Sequence, residues 1–335
     1  MKRALVAGAG GFIGHHLVNR LKSEGYYVRG VDLKYPEFEP TMADDFIIAD
    51  LRGPGEAFEA THSMDDVYQL AADMGGIGYI TSNLADIARN NVLINVNMLD
   101  AAVANNIKRY LYTSSACIYP RSHQLIENAT PLREEDAIPA DPEAGYGWEK
   151  LFSEQMVQYY AKDHDLDTRI VRFHNVYGPL GTYDGGKEKS PAALCRKIAK
   201  AFPYPASECN STTDIYKYQR EGKYPIEIWG DGNQTRTYLY IDDCIEGLRR
   251  IMQSGYSAPL NLGTNALLSI NELALLIGKI AGKPLILEHV DGPQGVRGRS
   301  SDNGRLYEVL GWGPSVTLRE GLTPTYQWIE QQVRK

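Results

Sequence analysis

Two short stretches of the 335-residue chain hold side chains that can move protons. In "YGWEK", Tyr146 and Lys150 stand four residues apart. On a helix that spacing puts both on one face, where an ammonium beside a phenol lowers the pKa of the phenol. A phenolate so formed can take a proton from a sugar hydroxyl while hydride leaves the same carbon. Taken alone, the pair reads more readily as an aromatic packing residue and a surface lysine. Upstream, "TSSACIYP" supplies Ser115 for the same hydroxyl and adds a thiol, Cys117. Free cysteine is among the most buried residue types, so Cys117 is either a small core side chain or a thiol aimed at a ligand. It follows an expected parallel strand, and ligands bind outside the carboxyl ends of such strands, which favours the second reading.

A cofactor signature opens the chain. "GAGGFIG" places Gly8, Gly11 and Gly14 between a strand and a helix, where glycines let the backbone turn and approach a pyrophosphate. The helix start, Phe12 and Ile13 with Gly14, offers unpaired N–H groups and the positive end of the dipole. Asp32 ends the next strand, where an acid suits a ribose hydroxyl pair and repels a 2′-phosphate. The expected cofactor is therefore NAD. Asp50, in "ADLR", is either a cap for the adenine ring or a turn residue.

These groups need a scaffold, and the pattern supplies one. "RALVAGA" reads as a strand, "FIGHHLVNRLKSEG" as a helix with Phe12, Ile13, Leu17, Val18 and Leu21 at helical spacing, and "YYVRGVD" as a second strand. Such a βαβ unit implies a parallel sheet with a right-handed crossover. Strand and helix alternate to about residue 177, so the expected fold is α/β with a doubly wound, Rossmann-type parallel sheet. A smaller C-terminal α/β substrate domain should follow. The expected division is 1–177 for the cofactor domain, with 237–265 returning to it, and 178–236 plus 266–335 for the substrate domain. Residues 202–224 lack a period and read as a surface loop. Helices near 83–106 and 146–163 carry apolar stripes that suit either a dimer face or packing on their own sheet.

Composition narrows the partners. With 43% apolar and 23% charged residues the chain is an ordinary globular one, and no stretch approaches a membrane span. A net charge of −7 argues against nonspecific nucleic-acid binding and points to small molecules. Glycines begin too early in the N-terminus for a signal peptide, so a cytoplasmic location is expected. Cys117, Cys195, Cys209 and Cys244 are dispersed without metal-ligand spacing, so neither disulfides nor a metal site is expected. His174 reads as structural, and Arg236, Arg297 and Arg299 as either surface charges or pyrophosphate clamps.

The glycine motif, the serine followed by Tyr-x-x-x-Lys, "RFHNVYGP" and "LGWGPSVTLREGL" together resemble the extended short-chain dehydrogenase/reductases that act on nucleotide sugars. Longer words, "LAADMGGIGYI", "SSACIYP", "GGKEKSPAALCRK", "WGDGNQTR" and "GPQGVRGRSSDN", resemble members that epimerise GDP-mannose at carbons 3 and 5. The resemblance implies Ser115, Tyr146 and Lys150 as the oxidoreduction set and Cys117 with Lys189 as the acid/base pair. It also implies a nucleotide-sugar site at Gly75, Ser115, Ala116, Cys117, Asn175, Glu188, Lys189, Ser190, Lys197, Gln234, Thr235, Arg236 and Arg299, and a homodimer. Ser190 stands where the family has alanine, and the 203–224 segment is longer than usual.

The implied chemistry is internally consistent. A protein base cannot remove a proton from an unactivated ring carbon, but oxidation of carbon 4 to a ketone acidifies both neighbours. Inversion then needs one group to remove a proton and another to deliver one. A thiol (about 8.5) and an ammonium (about 10.4) both titrate above neutrality, so each must be tuned by its surroundings. Rival readings are a 4-epimerase or 4,6-dehydratase of another nucleotide sugar, and a noncatalytic NAD sensor. A dehydratase of this type carries Asp-Glu where this chain has Ala116-Cys117, and sensors often lack the Tyr or Lys present here.

Overall fold

The computed structural model describes residues 1–203 and 222–335, so the loop expected at 202–224 falls almost entirely outside the described residues. The first half runs β1 (Arg3–Ala7), α1 (Phe12–Ser23), β2 (Tyr27–Asp32), β3 (Asp45–Ile48), α2 (Pro54–Thr61), β4 (Asp66–Gln69), α3 (Ile77–Ser82), α4 (Leu84–Ala104), β5 (Arg109–Ser115), α5 (Ala144–His164) and β6 (Thr168–Phe173). A two-residue strand β7 (Val176–Tyr177) follows, then α6 (Ser190–Lys200), β8 (Tyr224–Trp229), β9 (Thr235–Arg236), β10 (Leu239–Tyr240), α7 (Ile241–Gln253) and β11 (Pro259–Leu262). The chain closes with β12 (Leu268–Ser269), α8 (Ile270–Ala281), β13 (Leu285–Val290), β14 (Gly298–Arg299), α9 (Gly304–Leu310) and α10 (Leu318–Arg334).

Seven strands form one sheet in the order β11-β6-β5-β4-β1-β2-β3, and every pairing is parallel. The order reverses beside β1, and doubly wound folds of this kind bind ligands where the order reverses. Strand β1 shows why the sheet is central. Ala4, Leu5, Val6 and Ala7 are all fully buried, as in a strand covered on both faces. Leu17, Val18 and Leu21 of α1 pack with Ile245, Leu248 and Ile251 of α7 over one face. Ala57 and Ala60 of α2, Met98, Leu99 and Ala102 of α4, and Val157 of α5 cover the other.

The rest of the chain builds a smaller layer around the parallel pair β8 and β13. Leu194 and Ile198 of α6, Leu273 and Ile277 of α8, and Leu322 and Ile329 of α10 share one core with Ile226 and Ile228. Residues 239–262 leave this layer: β10 pairs with β7, α7 lies on α1, and β11 adds the last strand to the main sheet. Both stripes on α4 and α5 bury residues against the sheet and each other, yet Trp148, Phe152 and Tyr159 of α5 stay half-exposed. Among the described residues no helix is long and apolar enough to cross a membrane.

Candidate active site

The first turn of the chain is shaped for a close approach. Gly8 has φ +84°, a left-handed conformation that suits glycine, and a Cβ there would sit 2.9 Å from the Ala71 backbone nitrogen. At Gly14 a Cβ would lie 2.1 Å from the Gly8 carbonyl oxygen, which lets α1 begin hard against the turn. Gly11 precedes α1 without a side-chain cap, so the N–H groups of Phe12, Ile13 and Gly14 face forward as unpaired donors. Asp32 accepts from the Gly10 N–H at 3.0 Å and the Leu33 N–H at 2.7 Å. Burial raises its pKa against the pull of those donors. Gly10, Gly11, Phe12, His15 and Lys34 line a cavity of about 110 Å³ beside it. This cradle, whose turn leaves no room for a Cβ at Gly8, Gly10 or Gly14, fits a dinucleotide. Asp50 pairs with Arg52, at 2.5 to 3.0 Å, on the surface after β3.

A second cavity, of about 320 Å³, opens between the main sheet and the smaller layer. Ser115 ends β5, and the chain then turns through one short 3-10 turn, Ala116–Ile118. The Ser115 Oγ caps that turn by accepting from the Cys117 N–H at 3.2 Å. Helix α5 begins against the same turn: the Glu143 N–H donates to the Cys117 carbonyl at 2.9 Å, and a Cβ on Gly147 would lie 2.3 Å from that oxygen. The glycine in "YGWEK" therefore lets the start of α5 close on the turn that carries Ser115 and Cys117. Ser115, Ala116, Cys117 and Tyr146 all line the cavity.

Lys189 enters from the residue before α6, together with Glu188 and Ser190. Burial lowers the pKa of Lys189, while Cys117 works in the opposite direction. Asn175 comes from the break between β6 and β7, Gly75 from the segment before α3, and Lys197 from α6. Gln234, Arg236 and Arg299 complete the wall from the far layer. Burial, with Arg299 adding to it, lowers Arg236 to about 10. Thr235 is the exception. Its hydroxyl donates to the Glu127 carbonyl and it does not line the cavity, because neighbours on a strand face opposite ways. The Ser190 hydroxyl pairs with Tyr238 at 2.8 Å, which occupies the polar group that replaces the family's alanine.

One expectation fails in its simple form. The i, i+4 spacing predicts an ammonium that lowers the phenol, yet burial raises Tyr146 well above the usual range, with Glu149 adding to it. Lys150 lies 5.6 Å from the Tyr146 ring centre, and its Nζ donates to the Thr113 carbonyl at 3.1 Å. Burial also lowers Lys150 itself, against Glu149. His174 is fully buried, bonded to Asn261 at 3.3 Å, and lowered to about 3 chiefly by burial. Arg297 pairs with Glu127 and Asp231 at 2.6 Å.

Sequence reasoning missed Glu143, which lines the cavity three residues before Tyr146, and Gln124, which accepts from Arg299 at 2.5 Å. No helix period could have found Glu143, because it stands just before α5 with an extended backbone. It also missed Asn91, a buried helix residue that grips Asp73 next to the cavity: Oδ1 accepts from the Asp73 N–H at 2.6 Å and Nδ2 donates to its carbonyl at 3.0 Å.

A nucleotide-binding doubly wound sheet with Ser, Tyr and Lys at the end of β5 and the start of α5 defines a class of oxidoreductive sugar-nucleotide enzymes. Residues 4–263 match the NAD dependent epimerase/dehydratase family, and the chain belongs to it. Within it, the chain is 45% identical over 332 residues to GDP-mannose 3,5-epimerase of Arabidopsis thaliana, covering 98% of this chain and 82% of that one. It is 44% identical over 335 residues to GDP-mannose 3,5-epimerase 1 of Oryza sativa subsp. indica, covering 99% and 83%. Among solved structures, UDP-glucose 4-epimerase of Thermotoga maritima with UDP-glucose superposes with a TM-score of 0.84 at 25% identity, covering 99% of both chains.

Proposed function

We propose that the chain epimerises GDP-mannose at carbons 3 and 5, yielding GDP-L-galactose, GDP-L-gulose or both, through a transient 4-keto sugar. The observation that carries this reading is one cavity lined by both an oxidoreduction pair, Ser115 and Tyr146, and a proton-moving pair, Cys117 and Lys189. A simple 4-epimerase needs the first pair alone. The extent of likeness to the two plant enzymes supports the choice of GDP-mannose.

The cradle of Gly8, Gly11 and Gly14 would hold the pyrophosphate of NAD, and Asp32 its adenosine ribose. NAD held there would supply a reversible hydride acceptor. The residues of the chain do the rest. Tyr146, held protonated by burial, is a donor to the oxygen on carbon 4 when that oxygen carries charge, and Ser115 is a second donor. Drawing the proton the other way needs positive charge near the phenol, which Lys150 one turn on brings. Lys189, lowered by burial, can exchange a proton with the sugar, and Cys117 can exchange another from a different element. Arg236, Arg299 and Lys197 offer cations to the diphosphate.

The same reading divides the chain into a cofactor lobe, 1–177 with 237–265, and a substrate lobe of 178–236 and 266–335. The return of β11 to the main sheet supports that division. It also makes the protein a homodimer through α4 and α5, for which the exposed Trp148, Phe152 and Tyr159 speak. The direct test is to incubate the protein with GDP-mannose and resolve the sugar nucleotides by chromatography. New GDP-hexoses with L configuration are expected; an unchanged GDP-mannose pool with an NAD-loaded preparation would overturn the reading.

A further inference from the structure

The guanidinium of Arg299 is held at three corners. Its Nε donates to Gln124 Oε1 at 2.5 Å, its Nη2 to Glu143 Oε2 at 2.7 Å, and its Nη1 to the Cys117 sulfur at 3.6 Å. Gln124 is itself fixed, because its amide donates to the carbonyls of Tyr119 and Pro120 at 3.1 and 3.2 Å. Glu143 meets Cys117 in two ways. Its N–H holds the Cys117 carbonyl, and its carboxylate grips the arginine that donates to the sulfur.

The charges around that sulfur pull mostly one way. Lys189 faces it from the start of α6, Arg236 from β9 and Arg299 from β14, while Lys150 and the Tyr146 phenol face it from α5. Cations beside a thiol favour the thiolate. A group that must both lose and regain a proton in a turnover works best when its pKa lies near the ambient pH. Glu143 brings the opposite sign to the same place. Although burial pushes its carboxyl up, Arg299 outweighs this and holds it below the usual range, so it stays ionised at neutral pH.

We propose that Glu143 is a positioning residue that sets the proton affinity of Cys117, by aiming Arg299 at the sulfur and offsetting part of its charge. The proposal rests on the reading of Cys117 as a proton-moving thiol, but its test needs no turnover. In the full-length, NAD-loaded protein the alkylation of Cys117 by iodoacetamide is followed from pH 5.5 to about 10, with the modified peptide identified by mass spectrometry. Glu143→Gln keeps shape and hydrogen bonding but removes the charge, and should lower the midpoint of the reactivity curve by about one pH unit. Glu143→Asp keeps the charge and should move it by less than half as much. Arg299→Gln removes the clamped cation and should raise the midpoint, which keeps the idea testable if a Glu143 variant fails to fold. A midpoint unmoved by Glu143→Gln, or unmoved by Arg299→Gln, would overturn the proposal. Loss of GDP-mannose turnover in the wild-type protein would instead strike the proposed function and leave this titration standing.

Discussion

At the scale of single residues, burial decides more than spacing does. Tyr146 and Lys150 have the spacing that brings a cation to a phenol, yet desolvation outweighs the cation and leaves both groups shifted toward their neutral forms. His174 carries the same lesson into stability. Its folded pKa, about 3, lies below the unfolded value near 6.5, so between those limits the unfolded chain binds a proton that the folded chain refuses. Stability from this group is complete above pH 6.5 and falls as the pH drops toward 3. By pH 5 the loss should reach about 2 kcal/mol. Urea unfolding of the wild type and of His174→Gln at pH 7.5 and pH 5 measures it, and the wild type should lose more on acidification. Equal losses would show that His174 is not held neutral in the fold.

At the scale of elements, what was legible in the sequence is what one element carries by itself. The glycine turn with α1, the Tyr-x-x-x-Lys face of α5 and the buried run of β1 each lie within a few residues, where period and spacing speak directly. The clamp around Cys117 was not legible, since Arg299 and Cys117 are 182 residues apart and meet through the fold alone. Nor was the polar seam between α4 and α5. There Asn91 donates to Glu149 at 2.7 Å and Asn95 to Ser153 at 3.0 Å, while Gln69 donates to Asn95 at 3.0 Å. Asparagines in a helix read as surface residues, but both are buried here, and an unpaired partner in such a seam costs about 1–3 kcal/mol. Asn91→Leu should therefore destabilise the protein by that amount and free the Asp73 backbone beside Gly75. Faster amide exchange at residues 73–76, compared with the wild type, checks it; unchanged exchange there would mean that Asn91 does not hold the segment.

At the scale of the whole molecule, the cavity exists because the chain leaves the main sheet after β6, builds the smaller layer, and returns through α7 and β11. Residues from β5, α5, α6, β9 and β14 therefore meet at one place without being near in sequence. The half-exposed aromatic stripe on α5 lies on the outside of this arrangement, away from the sheet that α5 covers. Phe152→Glu should convert the proposed dimer to a monomer in sedimentation equilibrium without loss of bound NAD; a wild-type monomer at micromolar concentration would remove the dimer. The central claim is that two proton-moving groups act on carbons made acidic by a transient ketone. Its most direct measurement is NMR of the sugar after incubation with GDP-mannose in deuterated water. The wild type should place deuterium at carbons 3 and 5, and Cys117→Ala, with NAD still bound, should place it at neither; wild-type protein that introduces no label, or a Cys117→Ala protein that labels both carbons at the wild-type rate, would contradict the account.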